Sequence, residues 1–110
     1  MIQYGSTDLH ELRFSSMRAS IELRDAQWID VEVLFELDLH QGSELPADLS
    51  ELSALLICTY GGDIVQIVPQ DEGRDCEYQF TDAEKEQLRQ FYEQSVKQLL
   101  RLKVERIDNT

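Results

Sequence analysis

Trp28 to His40, WIDVEVLFELDLH, alternates apolar and polar residues for thirteen positions almost without a break. Ile29, Val31, Val33, Phe35, Leu37 and Leu39 fall on one side. Trp28, Asp30, Glu32, Leu34, Glu36, Asp38 and His40 fall on the other. A period of two is that of a half-buried β-strand, and at 3.3 Å per residue this one would run for roughly 43 Å. One side is expected to build a core, and the other shows four carboxylates to water.

Working outward toward the N-terminus, Met17, Ala19, Ile21 and Leu23 alternate against Arg18, Ser20, Glu22 and Arg24. Ser15 and Ser16 shift the parity of that run relative to LHELRF before it, as a bulge does. Arg24 to Gln27 then forms the turn of an antiparallel hairpin, in which Arg24 is expected to face Asp30 and Arg18 to face Glu36. Residues 1 to 8 read as a loosely held arm or a brief edge strand.

On the C-terminal side, QGSELPADLSELS (41 to 53) breaks the strand period with Gly42 and Pro46. Leu45, Leu49 and Leu52 suggest a short helical turn after a Ser43 cap. Ala54 to Tyr60 is a continuous apolar run, Gly61 to Asp63 a hairpin turn and Ile64 to Val68 the returning strand. Pro69 to Asp75 reads as a charged loop, and Cys76 to Phe80 as a further short strand.

Thr81 followed by Glu84 is a capping box, with acids in the first turns after it and Lys97, Arg101, Lys103 and Arg106 near the far end. A helix from 81 to about 106 would be roughly 39 Å long, comparable to the long strand. At 100° per residue Leu88, Phe91, Tyr92, Ser95, Leu99 and Leu102 form the core stripe, and Val96, Leu100 and Ile107 widen it. That width suggests a homodimer through the C-terminal helix, with Val96, Leu100 and Ile107 on the second copy. The expected fold is a single α+β domain over residues 1–110. It has an antiparallel sheet of four to six strands built from two hairpins, with one long C-terminal helix packed on one face.

The 110 residues carry a net charge of -12. Residues 1 to 24 and 78 to 110 are each neutral, so the whole excess lies between 25 and 77, where thirteen acids meet one base, Arg74. Such a field repels nucleic acid and anionic membranes and attracts basic partners. No apolar run approaches a membrane span, the first residues do not read as a signal peptide, and the expected location is cytoplasmic. Cys58 and Cys76 lie outside any CxxC and read as reduced thiols.

Chemical motifs are few. The five glycines fit no phosphate-binding loop, and His10 and His40 lie outside HExxH. No nucleophile elbow is present, and alternate acids on an open strand face are solvated, which argues against an enzyme. No cofactor or metal is expected. Carboxylates two residues apart on a strand are about 6.6 Å apart, close to the spacing of phosphates along a nucleic-acid strand. Asp30, Glu32, Glu36 and Asp38 can therefore imitate a phosphate row, with Trp28 and Leu34 as apolar anchors and Asp71, Glu72 and Asp75 as an outlying patch. In size, charge and fold style the chain resembles small acidic inhibitors such as phage anti-defence proteins, DNA mimics and toxin-immunity proteins. The resemblance implies an inhibitor that engages a basic nuclease or nucleic-acid-binding protein. The alternative is a homo-oligomeric interaction module whose charge serves solubility.

Overall fold

The computed structural model describes residues 1–5, 9, 11–38 and 45–108, of the last its backbone alone. Five strands form one antiparallel meander, in the order β2 (Phe14–Leu23), β3 (Trp28–Leu37), β4 (Leu52–Thr59), β5 (Ile64–Asp71) and β6 (Arg74–Asp75). A separate two-stranded sheet pairs β1 (Ile2–Gln3) with β7 (Tyr78–Gln79). The chain ends in one long helix of three segments: α1 (Asp82–Phe91), a π turn (Tyr92–Val96) and α2 (Lys97–Asp108). The fold is the expected α+β one.

Alternation sets the facing of β3. Ile29, Val31 and Val33 are fully buried, and their register partners on β4 are Cys58, Leu56 and Ala54, which are buried too. Leu88, Tyr92, Val96 and Leu100 of the helix close the core over them. Between β2 and β3, the Asp25 carboxylate accepts the backbone N–H groups of Gln27 and Trp28, both at 2.8 Å. Those two bonds hold its carboxyl below the usual carboxylate range. The parity shift near Ser15 is a register break, since Phe14 pairs with Leu37 and Ser16 with Glu36. Glu22, and not Arg24, stands opposite Asp30 in the register, yet Arg24 reaches Asp30 from the turn, with Nε donating at 2.9 Å and Nη2 at 2.6 Å from the second oxygen. Arg18 sits opposite Leu34, so the expected pairing with Glu36 is corrected by two residues of register.

Two further segments differ from expectation. The segment 69 to 75, read as a loop, carries the end of β5 and all of β6. Pro69 is tolerated there because no strand pairs with β5 beyond Gln70 and Asp71 on that side. The strand expected over Cys76 to Phe80 does form, but on the N-terminal arm and not on the main sheet. Leu39, His40 and the Ser43 cap lie outside the described residues; Leu49 N–H donates to the Pro46 carbonyl at 3.0 Å in a turn.

The helix corrects its own expected stripe. Glu84, Leu88, Tyr92, Val96 and Leu100 are buried and Val104 is half-buried, a constant spacing of four. On a straight α-helix five such steps drift by about 200°. The π turn returns about 100° of that by inserting one residue, with the Lys97 N–H donating to the Tyr92 carbonyl five positions back. Val96 and Leu100 therefore belong to this chain's own core. Leu99 and Leu102, expected inside, are 58% and 47% exposed. The apolar residues left on the outer side of the helix are therefore Leu99, Leu102 and Ile107, and of the three expected to face a second copy only Ile107 is exposed.

The capping box at Thr81 and Glu84 is present, with both reciprocal bonds. Glu84 does more than cap. Fully buried, it accepts Thr81 N–H on one carboxylate oxygen and, on the other, Leu12 N–H at 2.8 Å and the Met1 ammonium at 2.6 Å. One side chain thereby ties the N-terminal arm to the start of the helix.

Candidate functional site

The helix covers one face of the meander. On the opposite face, Trp28, Asp30, Glu32, Leu34 and Glu36 follow one another along β3, because alternate strand residues share a face. The register sets what flanks each of them. Trp28 lies opposite Thr59, Asp30 between Glu22 and Ile57, Glu32 between Ser20 and Leu55, and Glu36 opposite Ser16. Asp30 is held by Arg24. Glu32 and Glu36 are exposed and have uncharged cross-strand neighbours.

Beside this acidic lane runs an apolar one. Leu55 and Ile57 of β4 are half-buried on the open face, and Val68 of β5 pairs with Leu55. Gln66 and Gln70 border the lane on its far side. The face therefore changes across the sheet from carboxylate to aliphatic to neutral amide. Sequence reasoning missed Leu55, Ile57 and Val68 because they lie in continuous apolar runs, where the core-facing residues hide the alternation. The signal was present all the same, since a central strand apolar at every position has two apolar sides.

The remaining site residues divide. Asp38 follows β3, half-buried, with its backbone N–H donating to Arg13 at 2.7 Å. Asp75 pairs with Gln70, which brings it to the margin of the open face. Asp71 and Glu72 do structural work. Asp71 accepts the N–H groups of Ser50 and Glu51 at 3.1 and 2.7 Å, and Glu72 accepts the Ser50 hydroxyl at 2.9 Å. Together they fasten the start of β4 to the turn between β5 and β6.

Away from this face, a groove of about 500 Å³ beside β5 is lined by Ile67, Cys76, Tyr78, Lys85 and Arg89 among others. Its thiol and its phenol are both held toward the protonated form. Burial pushes the Cys76 thiol up, and the hydrogen bond from Tyr78 to Asp48 at 2.6 Å pushes the phenol up to about 12. Neither is thereby activated as a nucleophile or a base near neutral pH. Among the described residues no three His, Cys, Asp or Glu side chains gather as a metal site requires, and no helix is long and apolar enough to cross a membrane.

Compared with known proteins, the chain matches no family model, no curated protein and no solved structure.

Proposed function

We propose that this chain is a non-enzymatic binding protein that engages a basic protein through the open face of its sheet. The partner class is a nuclease or another nucleic-acid-binding protein, whose basic groove the acidic face would block. The observation that carries the reading is the pairing of the exposed carboxylate Glu32 with the half-buried Leu55, and of Asp30 with the half-buried Ile57, on a face the helix does not cover, with the exposed Glu36 four residues further along β3. The acid excess of residues 25 to 77, which outweighs Arg18 opposite Leu34 on the same face, steers a basic partner, and apolar surface beside it retains that partner.

The test compares proteins captured on the immobilised wild type with those captured on a Glu32→Lys/Glu36→Lys variant, each washed with salt rising from about 0.05 to 0.5 M, a range over which surface charges become screened. The expected result is a basic protein retained by the wild type, released as salt rises, lost with the double reversal, and blocked from its nucleic acid while bound. Capture unaffected by both the reversal and the salt would overturn the reading.

A further inference from the structure

We propose that the open face receives an amphipathic α-helix of the partner, with the helix's apolar stripe on Leu55, Ile57 and Val68 and its basic side over Glu32 and Glu36. This rests on the basic-partner reading above and names the element that does the docking. Neighbouring strands are about 4.8 Å apart, so a helix about 10 Å across spans the acidic lane of β3 and the apolar lane of β4 together. Along the strands the spacings agree as well. Leu55 and Ile57, two residues apart, are separated by about 6.6 Å, and helix positions i and i+4 by about 6 Å. Glu32 and Glu36 are about 13 Å apart, and helix residues eight positions apart about 12 Å. The helix therefore carries apolar residues at i and i+4 and Arg or Lys at two positions about eight apart on one flank. Its other flank, over Gln66 and Gln70, is polar and uncharged.

The same face disfavours the other occupants. β3 and β4 are interior strands whose backbones are paired on both sides, so an extended segment laid over them would leave its own N–H and C=O groups unpaired above an aliphatic lane. A helix arrives with those groups already bonded. A second copy of this chain, face to face, would set Glu32 and Glu36 against identical carboxylates. A nucleic-acid-like contact with a wholly polar groove would leave Leu55 and Ile57 without apolar cover.

Trp28, the only tryptophan in the chain, stands at one end of this face and reports occupancy by its fluorescence. Three synthetic peptides of equal charge, each about eighteen residues or five helical turns long, are titrated at low salt. One has the helical pattern just described. The second has the same composition with apolar and basic residues alternating, and the third is a lysine–glycine polymer. The expected result is a blue shift with the helical peptide, with binding at least about tenfold tighter than either control. Glu32→Lys/Glu36→Lys and Ile57→Thr should each weaken it in variants whose circular dichroism is unchanged. Equal binding by all three peptides would overturn the helix and leave the basic-partner reading standing. Tighter binding of the alternating peptide would overturn it in favour of an extended partner. Absence of binding by all three would overturn both.

Discussion

The Tyr92 hydroxyl donates a 2.6 Å hydrogen bond to the carbonyl of Gly62, joining the π turn of the helix to the tip of the β4–β5 hairpin thirty positions earlier in the chain. Gly62 has φ of +93°, and a Cβ there would lie 3.4 Å from Lys97 Cε. The position thus needs glycine for its backbone, while the Lys97 side chain would accommodate a Cβ at ordinary contact distance.

Tyr92→Phe keeps the ring in the core and removes only the donor, leaving a buried carbonyl without its partner. The expected loss is about 1 to 3 kcal/mol in urea unfolding. Gly62→Ala should destabilise by a similar amount through strain at positive φ. A neutral outcome for both would mean that the hairpin tip and the helix are not coupled.

Substitutions one residue apart on the helix should behave in opposite ways. Leu100→Ala opens a cavity in the core and should cost about 2 to 5 kcal/mol, whereas Leu99→Ala should stay within about 0.5 kcal/mol. Equal costs would show that the helix runs without its π turn.

Glu84→Gln leaves the size of the side chain unchanged and removes its charge from beside a buried ammonium. Breaking such a buried pair should cost about 3 to 5 kcal/mol, and amide exchange should quicken in the N-terminal arm near Ile2 and Leu12. Thr81→Ala removes only the cap and should cost about 1 kcal/mol. Denaturation midpoints for the two variants separate the cap from the clamp, and the clamp assignment fails if they are alike.

Stability should decline at alkaline pH. Burial pushes the Cys58 thiol up to about 11, so the unfolded chain ionises first. The contribution is complete below the ordinary thiol value of about 9 and is lost as pH rises toward 11, amounting to roughly 2 to 3 kcal/mol. Urea midpoints at about pH 8 and pH 10 should diverge for the wild type and less for Cys58→Ala. Some slope should persist in the variant, because Tyr92 and Tyr78 are pushed up as well. A variant slope equal to that of the wild type would show that Cys58 makes no such contribution.

Much of this architecture could be read from local pattern. The alternation of β3, the turn at Gly61 to Asp63 and the cap at Thr81 each depend on neighbours in sequence, and each forms as expected. What escaped depends on distance or on accumulated rotation. Val96 and Leu100 moved inside because a fixed 100° per residue ignores the one residue that the π turn inserts. The bonds from Glu84 to Leu12 and to Met1 span 72 and 83 positions, so the capping-box spacing held no sign of them. Of the candidate site, the acidic lane was legible from Trp28 to Glu36. Its aliphatic neighbours were masked by the unbroken run around Leu55 and Ile57. Asp71 and Glu72 looked like free surface charge, since nothing local announces that Ser50 and Glu51 reach them.

The meander also orders the events of folding. Every strand of the main sheet pairs with its neighbour in sequence, and the connections β2–β3, β4–β5 and β5–β6 are short turns that lose little entropy on closing, whereas β3 and β4 are joined through residues 38 to 51. The contacts of Glu84 with Leu12 and Met1, 72 and 83 positions apart, and the pairing of β1 with β7 require much longer closures. On closure entropy alone they are expected to form after the hairpins. Weakening them therefore shortens the lifetime of the native state more than it slows the approach to it.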